Sequence, residues 1–152
     1  MSIAARLAEL SITLPAAPKP VAAYVPAVRT GNLIAVSGQL PMQNGQLMMT
    51  GPVKAADLEK AQAAARQCAL NGLAIVADQL GGSLDRVVRI VRLGVFVCCE
   101  AGFTDQPKVA NGASEALQQI FGEAGRHARA AVGSIALPLG ASVEVEMLVE
   151  VK

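Results

Sequence analysis

The sequence predicts a two-layer α+β domain, a mixed β-sheet with two main helices packed on one face. Residues 57–80 and 105–121 place apolar side chains at helical spacing, while the segments around them alternate or run apolar at strand spacing. The elements follow in the order ββ(β)αβαββ, and a domain of this length buries one core. Residues 1–152 therefore read as a single domain.

The chain opens with "MSIAARLAELSITLP", where Ile3, Leu7 and Leu10 share one face of a short amphipathic helix. Arg6 and Glu9 interrupt its apolar pattern and spoil it as a signal peptide. Pro15, Pro18, Pro20 and Pro26 then dictate an extended lead-in. A hairpin follows: a strand to Arg29, a turn at Thr30-Gly31-Asn32, and a strand over residues 33–37. Asn44-Gly45 in "QNGQLMMTG" is a turn signal leading into a further short strand.

Asp57 is placed to cap a long helix whose face carries Ala61, Ala65, Cys68, Leu73, Val76 and Leu80, and Gly81-Gly82 stops it. "DRVVRIVRLGVFVCC" is apolar on both faces, which predicts a central strand. A second helix starts near Asp105 with Pro107 in its first turn. Val109, Ala113, Leu117, Ile120 and Phe121 form its core stripe, and Gly122 to Gly125 end it. Two closing strands, "ARAAVGSIAL" and "SVEVEMLVEV", are predicted to form a hairpin about "PLGA".

Composition narrows the function. Hydrophobic residues make up 53% and charged residues 16%, with a mean hydropathy of +0.43. So much apolar surface over so few charges points to closure against copies of the same chain. The most apolar stretch is broken by Arg89 and Arg92 and is shorter than the ~20 residues a membrane span needs. The cytoplasm is the expected location. A net charge of +1, no tryptophan and one tyrosine argue against a nucleic-acid surface. Cys68, Cys98 and Cys99 suit reduced, buried thiols, and one histidine with no CxxC pair offers no metal site.

The residues with chemical potential cluster near the end. "GRHARAAVGS" holds Arg126, His127 and Arg129, and on the predicted hairpin Arg129 comes near Glu144. An exposed cross-strand ion pair would contribute only ~0.2–1 kcal/mol, and a binding site is the other reading; spacing leaves both open. Ser37-Gly38 after a strand offers backbone N–H groups to an anion, or is a simple turn. Tyr24 is a lone aromatic, and Asn111 sits mid-helix where Asn is mildly unfavourable. His127, beside two arginines, is disfavoured as a cation and reads as structural or at a rim.

Taken together, "YVPAVRTGNLIAVSGQLP", the Asn111 helix and "ARAAVGSIALPLGASVEVEMLVEV" resemble the RidA/YjgF family, the reactive intermediate deaminases also labelled endoribonuclease L-PSP. The resemblance covers roughly residues 20–152. It implies a chorismate-mutase-like fold assembled as a homotrimer with pockets between subunits. It also implies hydrolysis of 2-imino acids to 2-keto acids and ammonia, without cofactor or metal.

By position, the resemblance makes Arg129 the grip on the substrate carboxylate and Glu144 the residue that orients the attacking water. Tyr24, Ser37, Gly38, Asn111 and Ala131 fall on pocket-lining positions, and Arg126 and His127 are bystanders. A planar guanidinium suits this role because its fork pairs both carboxylate oxygens. The family often has Pro two residues before the arginine and Cys two after; His127 and Ala131 stand there, which marks a divergent subgroup. A non-catalytic binder of small keto acids is the alternative reading, and an endoribonuclease a third.

Overall fold

In the computed structural model, which describes residues 1–19 and 23–152, the elements run α1 (Ile3–Glu9), β1 (Ala27–Thr30), β2 (Leu33–Gln39), β3 (Met42–Gln43) and β4 (Gln46–Leu47). They continue as α2 (Leu58–Gln79), β5 (Val87–Cys98), α3 (Gln106–Phe121), β6 (Ala128–Ser134) and β7 (Val143–Val151). Of the lead-in prolines, Pro20 lies outside the described residues.

Five strands make one mixed sheet in the order β1-β2-β7-β5-β6, antiparallel except for the β5–β6 pair. The alternation in β7 is obeyed: Val143, Val145, Met147, Val149 and Val151 are buried, and the residues between them are half-exposed. Ile90, Leu93, Val95 and Val97 of β5 join them on the same face. α2 covers β7 and β2, α3 covers β5 and β6, and the two helices pack on each other. Gly112 makes that last contact possible, because a Cβ there would overlap the Gln62 backbone.

The N-terminal helix is tied down at several points. Ser2 caps it through Ala5 N–H at 3.1 Å, Ile3 N–H donates to Asp85 at 2.7 Å, and Arg6 donates to the Gln119 carbonyl at 2.8 Å. The Asn44-Gly45 turn has positive φ at both residues, 52° and 77°, as a tight hairpin turn demands. It joins two short strands, β3 and β4, off the main sheet. Asp57 sits at the start of α2, but its carboxylate accepts from Lys54 N–H at 3.1 Å rather than from the helix's own first turn.

One expectation fails. The last two strands do not form a hairpin: β6 pairs in parallel with β5, and β7 lies on the other side of β5. α3 is a crossover, and a strand–helix–strand unit brings its strands together in parallel. β6 is also built from small residues, "ARAAVGS", which suit an edge better than a core strand. The connection from β6 to β7 passes the end of β5, where Cys98 N–H donates to the Ser142 carbonyl at 2.9 Å.

Candidate functional site

Because β5 intervenes, Arg129 and Glu144 are not neighbours. Arg129 pairs with buried Leu93 and faces the helices, whereas Glu144 pairs with Phe96 and faces away. They stand on opposite faces of the sheet, two strand spacings or roughly 10 Å apart laterally. A cross-strand ion pair between them is excluded.

Arg129 is held by α3. Its Nη1 donates to Asn111 Oδ1 at 2.9 Å and to Ser114 Oγ at 3.0 Å, and its Nη2 donates to the Pro107 carbonyl at 3.3 Å. Every one of these acceptors is neutral, and no carboxylate among the described residues pairs with Arg129. A guanidinium carries five N–H donors. Three are engaged, which leaves the Nε donor and one on Nη2, the number a bidentate carboxylate requires. The positive charge is therefore fixed in place but not neutralised. It opens onto a cavity of about 390 Å³ whose walls include Asn111, Ser114, Gln118, Arg126 and His127. Ala131, two residues along the same strand, points to the same face.

A second cluster lies around the C-terminal end of β2. Tyr24, which is exposed, and Gly38 line an apolar cavity of about 480 Å³ shared with Pro15, Pro18, Leu40 and Met42. Ser37 Oγ donates to the Val25 carbonyl at 2.8 Å, and Ser37 N–H donates to the Pro26 carbonyl at 2.9 Å. The expectation that the Ser37 N–H meets an anion is therefore corrected: Ser37 lies within β2, and its N–H continues the β1–β2 pairing to the residue before β1. Gly38 lies directly against the Glu144 carboxylate, with no room for a Cβ between them.

The Glu144 carboxyl is pushed above its ordinary value, first by burial and then by the negative charge of Glu146. A carboxylate moved in that direction is a better proton acceptor near neutral pH. The Cys68 thiol is pushed up well above its ordinary value, by burial first and then by Glu144, so it is an inert core residue.

The sequence reading missed Ser114 and left the role of His127 open. Ser114 stands one helical turn from Asn111 and is buried against Arg129; the i,i+3 spacing of two small polar residues on α3 was the available signal. His127 lines the cavity, with its Nε2 2.9 Å from Ser114 Oγ and its Nδ1 2.6 Å from the Gly125 carbonyl. Burial is the main cause that lowers its pKa, and the Arg129 charge acts in the same direction against the Gly125 bond.

Fold and site together define a two-layer α+β protein with an arginine-centred polar pocket beside an edge strand. Residues 4–151 match the family described as "YjgF/chorismate_mutase-like, putative endoribonuclease". Protein TCP17 of Trypanosoma cruzi is 49% identical over 150 residues, covering 97% of this chain and 93% of that protein. A 2-iminobutanoate/2-iminopropanoate deaminase of Dermatophagoides farinae is 30% identical over 142 residues, covering 93% and 95%. The crystal structure of Atu1372 from Agrobacterium tumefaciens superposes with a TM-score of 0.91 at 47% identity, covering 99% of this chain and 92% of that one.

The chain belongs to the RidA/YjgF family, with its chorismate-mutase-like fold. No helix among the described residues is long and apolar enough to cross a membrane.

Proposed function

We propose that the protein hydrolyses reactive 2-imino acids, and their enamine tautomers, to 2-keto acids and ammonia, without a cofactor. The observation that carries this reading is the Arg129 guanidinium, held by neutral acceptors with two donors uncommitted. The deaminase name of the Dermatophagoides farinae relative supports the same chemistry.

The substrate carboxylate pairs with the Arg129 fork, which fixes C2 in position. A water hydrogen-bonded to Glu144 attacks C2 of the protonated imine. The new C–O bond forms as Glu144 takes the water proton. The tetrahedral carbinolamine then collapses: Glu144 returns its proton to the nitrogen, which leaves as ammonia, and takes the hydroxyl proton as the C–N bond breaks and the oxygen becomes the keto group. One water is consumed, and neither oxidant nor metal is required by this balance.

Arg129 and Glu144 face opposite sides of one sheet, so bringing them to one substrate takes two copies of the chain. The β6 edge of one protomer would meet the Tyr24–Ser37–Gly38–Glu144 region of the next, in a homotrimer of the kind the family resemblance implies. Exposed Val28, Val132, Ile135 and Leu139 supply apolar surface for such contacts.

The test generates 2-iminobutanoate in situ with a dehydratase and follows release of 2-ketobutyrate. Acceleration over the spontaneous rate, lost in Arg129→Ala, is the expected result. A flat assay alongside saturable, Arg129-dependent 2-ketobutyrate binding would instead make the protein a keto-acid binder.

A further inference from the structure

The contacts behind Arg129 form a chain whose proton directions are set by chemistry. The Gly125 carbonyl can only accept, so His127 Nδ1, at 2.6 Å, must carry the hydrogen. In the neutral ring Nε2 is then a lone pair, and Ser114 Oγ, 2.9 Å away, must donate to it. That commits the Ser114 hydrogen and leaves its oxygen to accept Arg129 Nη1–H at 3.0 Å. Ser114 is 7% exposed, so water cannot readily replace either partner.

We propose that His127, acting through Ser114, is the positioning residue that holds the Arg129 fork open toward the ligand carboxylate. The inference rests on the clamp role of Arg129. It adds that the clamp is set in advance by a neutral imidazole two positions earlier in the chain.

The physical gain is preorganisation. An arginine side chain left loose must be ordered when the ligand binds, and that cost is subtracted from affinity. With Ser114 locked by His127, Nη1 is anchored twice and the free donors are already aimed. The charged groups around His127 are Glu115 from α3, Arg126 from the preceding turn and Arg129 on β6, all lining the same cavity. Arg126 pairs with Glu123 at 3.4 Å.

Three single variants of the full-length protein and one double variant separate positioning from simple structural support. His127→Gln places a side-chain carbonyl where Nε2 accepts. His127→Asn keeps a donor for Gly125 but cannot reach Ser114, and Ser114→Ala removes the link itself. With 2-ketobutyrate as probe in calorimetry, His127→Asn and Ser114→Ala are each expected to weaken binding roughly three- to tenfold. Their combination should be no worse than either alone, and His127→Gln should retain near-wild-type affinity. In the imine assay the loss should appear in KM with kcat preserved. Equal loss in His127→Gln and His127→Asn, additive single effects, or a fall confined to kcat would each overturn the proposal.

If wild-type protein bound no 2-ketobutyrate, the clamp reading itself would fail, and a second measurement still decides the relay. His127 is the only histidine in the chain, so its imidazole nitrogens are observed alone by ¹⁵N NMR. The expected result is the Nδ1–H tautomer at neutral pH, with an Nε2 shift that moves in Ser114→Ala. An Nε2–H tautomer, or an Nε2 signal indifferent to Ser114→Ala, would overturn it.

Discussion

The Glu144 carboxylate lies across Gly38, in the volume that any Cβ at position 38 would occupy. The general base of the proposed reaction is thus placed by the absence of a side chain on the neighbouring strand. Gly38→Ala must push the carboxylate aside. Overpacking of this kind costs ~1–3 kcal/mol. The expected result is a lower Tm with a loss of imine hydrolysis that exceeds the loss of 2-ketobutyrate binding, since Arg129 is untouched; unchanged turnover would remove Glu144 from its role.

Glu144→Gln tests the same carboxylate by pH. Because the folded-state pKa is raised, the folded chain holds its proton more tightly than the unfolded chain. Wild-type stability from this group therefore falls as pH rises from the ordinary carboxylate value through the raised one. Gln has no such loss. Denaturant melts should show the variant's stability relative to wild type increasing from pH 4 to pH 7, while hydrolysis drops by roughly 10²- to 10⁴-fold.

Arg129→Lys keeps the charge and discards the fork. An ammonium cannot bond Asn111, Ser114 and Pro107 while presenting two parallel donors to a carboxylate. A charged hydrogen bond contributes about 1.5–3 kcal/mol, so 2-ketobutyrate affinity should fall by roughly ten- to a hundredfold, as read by calorimetry. Affinity close to wild type would mean that charge alone binds the ligand.

Val132→Asp tests the assembly. Val132 is on β6, 46% exposed and on the face opposite Arg129. A carboxylate there should disfavour burial against another copy and shift sedimentation of the proposed trimer toward monomer. Hydrolysis should fall with it, because Arg129 and Glu144 would no longer meet. A variant that sediments as wild type, or a fully active monomer, would contradict the two-copy site.

Gly112→Ala addresses the scaffold. The added methyl meets the Gln62 backbone rather than a movable side chain. We expect destabilisation of ~1–3 kcal/mol and, because Asn111 and Ser114 ride on the same helix, weaker 2-ketobutyrate binding. Calorimetric melts and titrations check both.

Much of the local architecture was legible. Pro107 at the start of α3, the Asn44-Gly45 turn and the strict alternation of β7 each act within a few residues, and each appears where the chain predicts it. The relay was not legible. Ser114 lies on α3 and His127 just before β6, thirteen residues on, and each has a bland reading alone; their meeting depends on how α3 lies over β6. The predicted β6–β7 hairpin failed for a similar reason: a short turn such as "PLGA" was read locally, although the crossover helix before β6 had already committed that strand to β5.

By itself the sequence determined the elements, the side of β7 that is buried, and the family, because periodicity, turn chemistry and motif all reside in short stretches of chain. Only the tertiary structure decided that β5 separates Arg129 from Glu144 and that His127 stands behind the arginine. Strand order and helix placement are set by packing between distant segments, and no spacing along the chain encodes which face or which neighbour a side chain will finally meet.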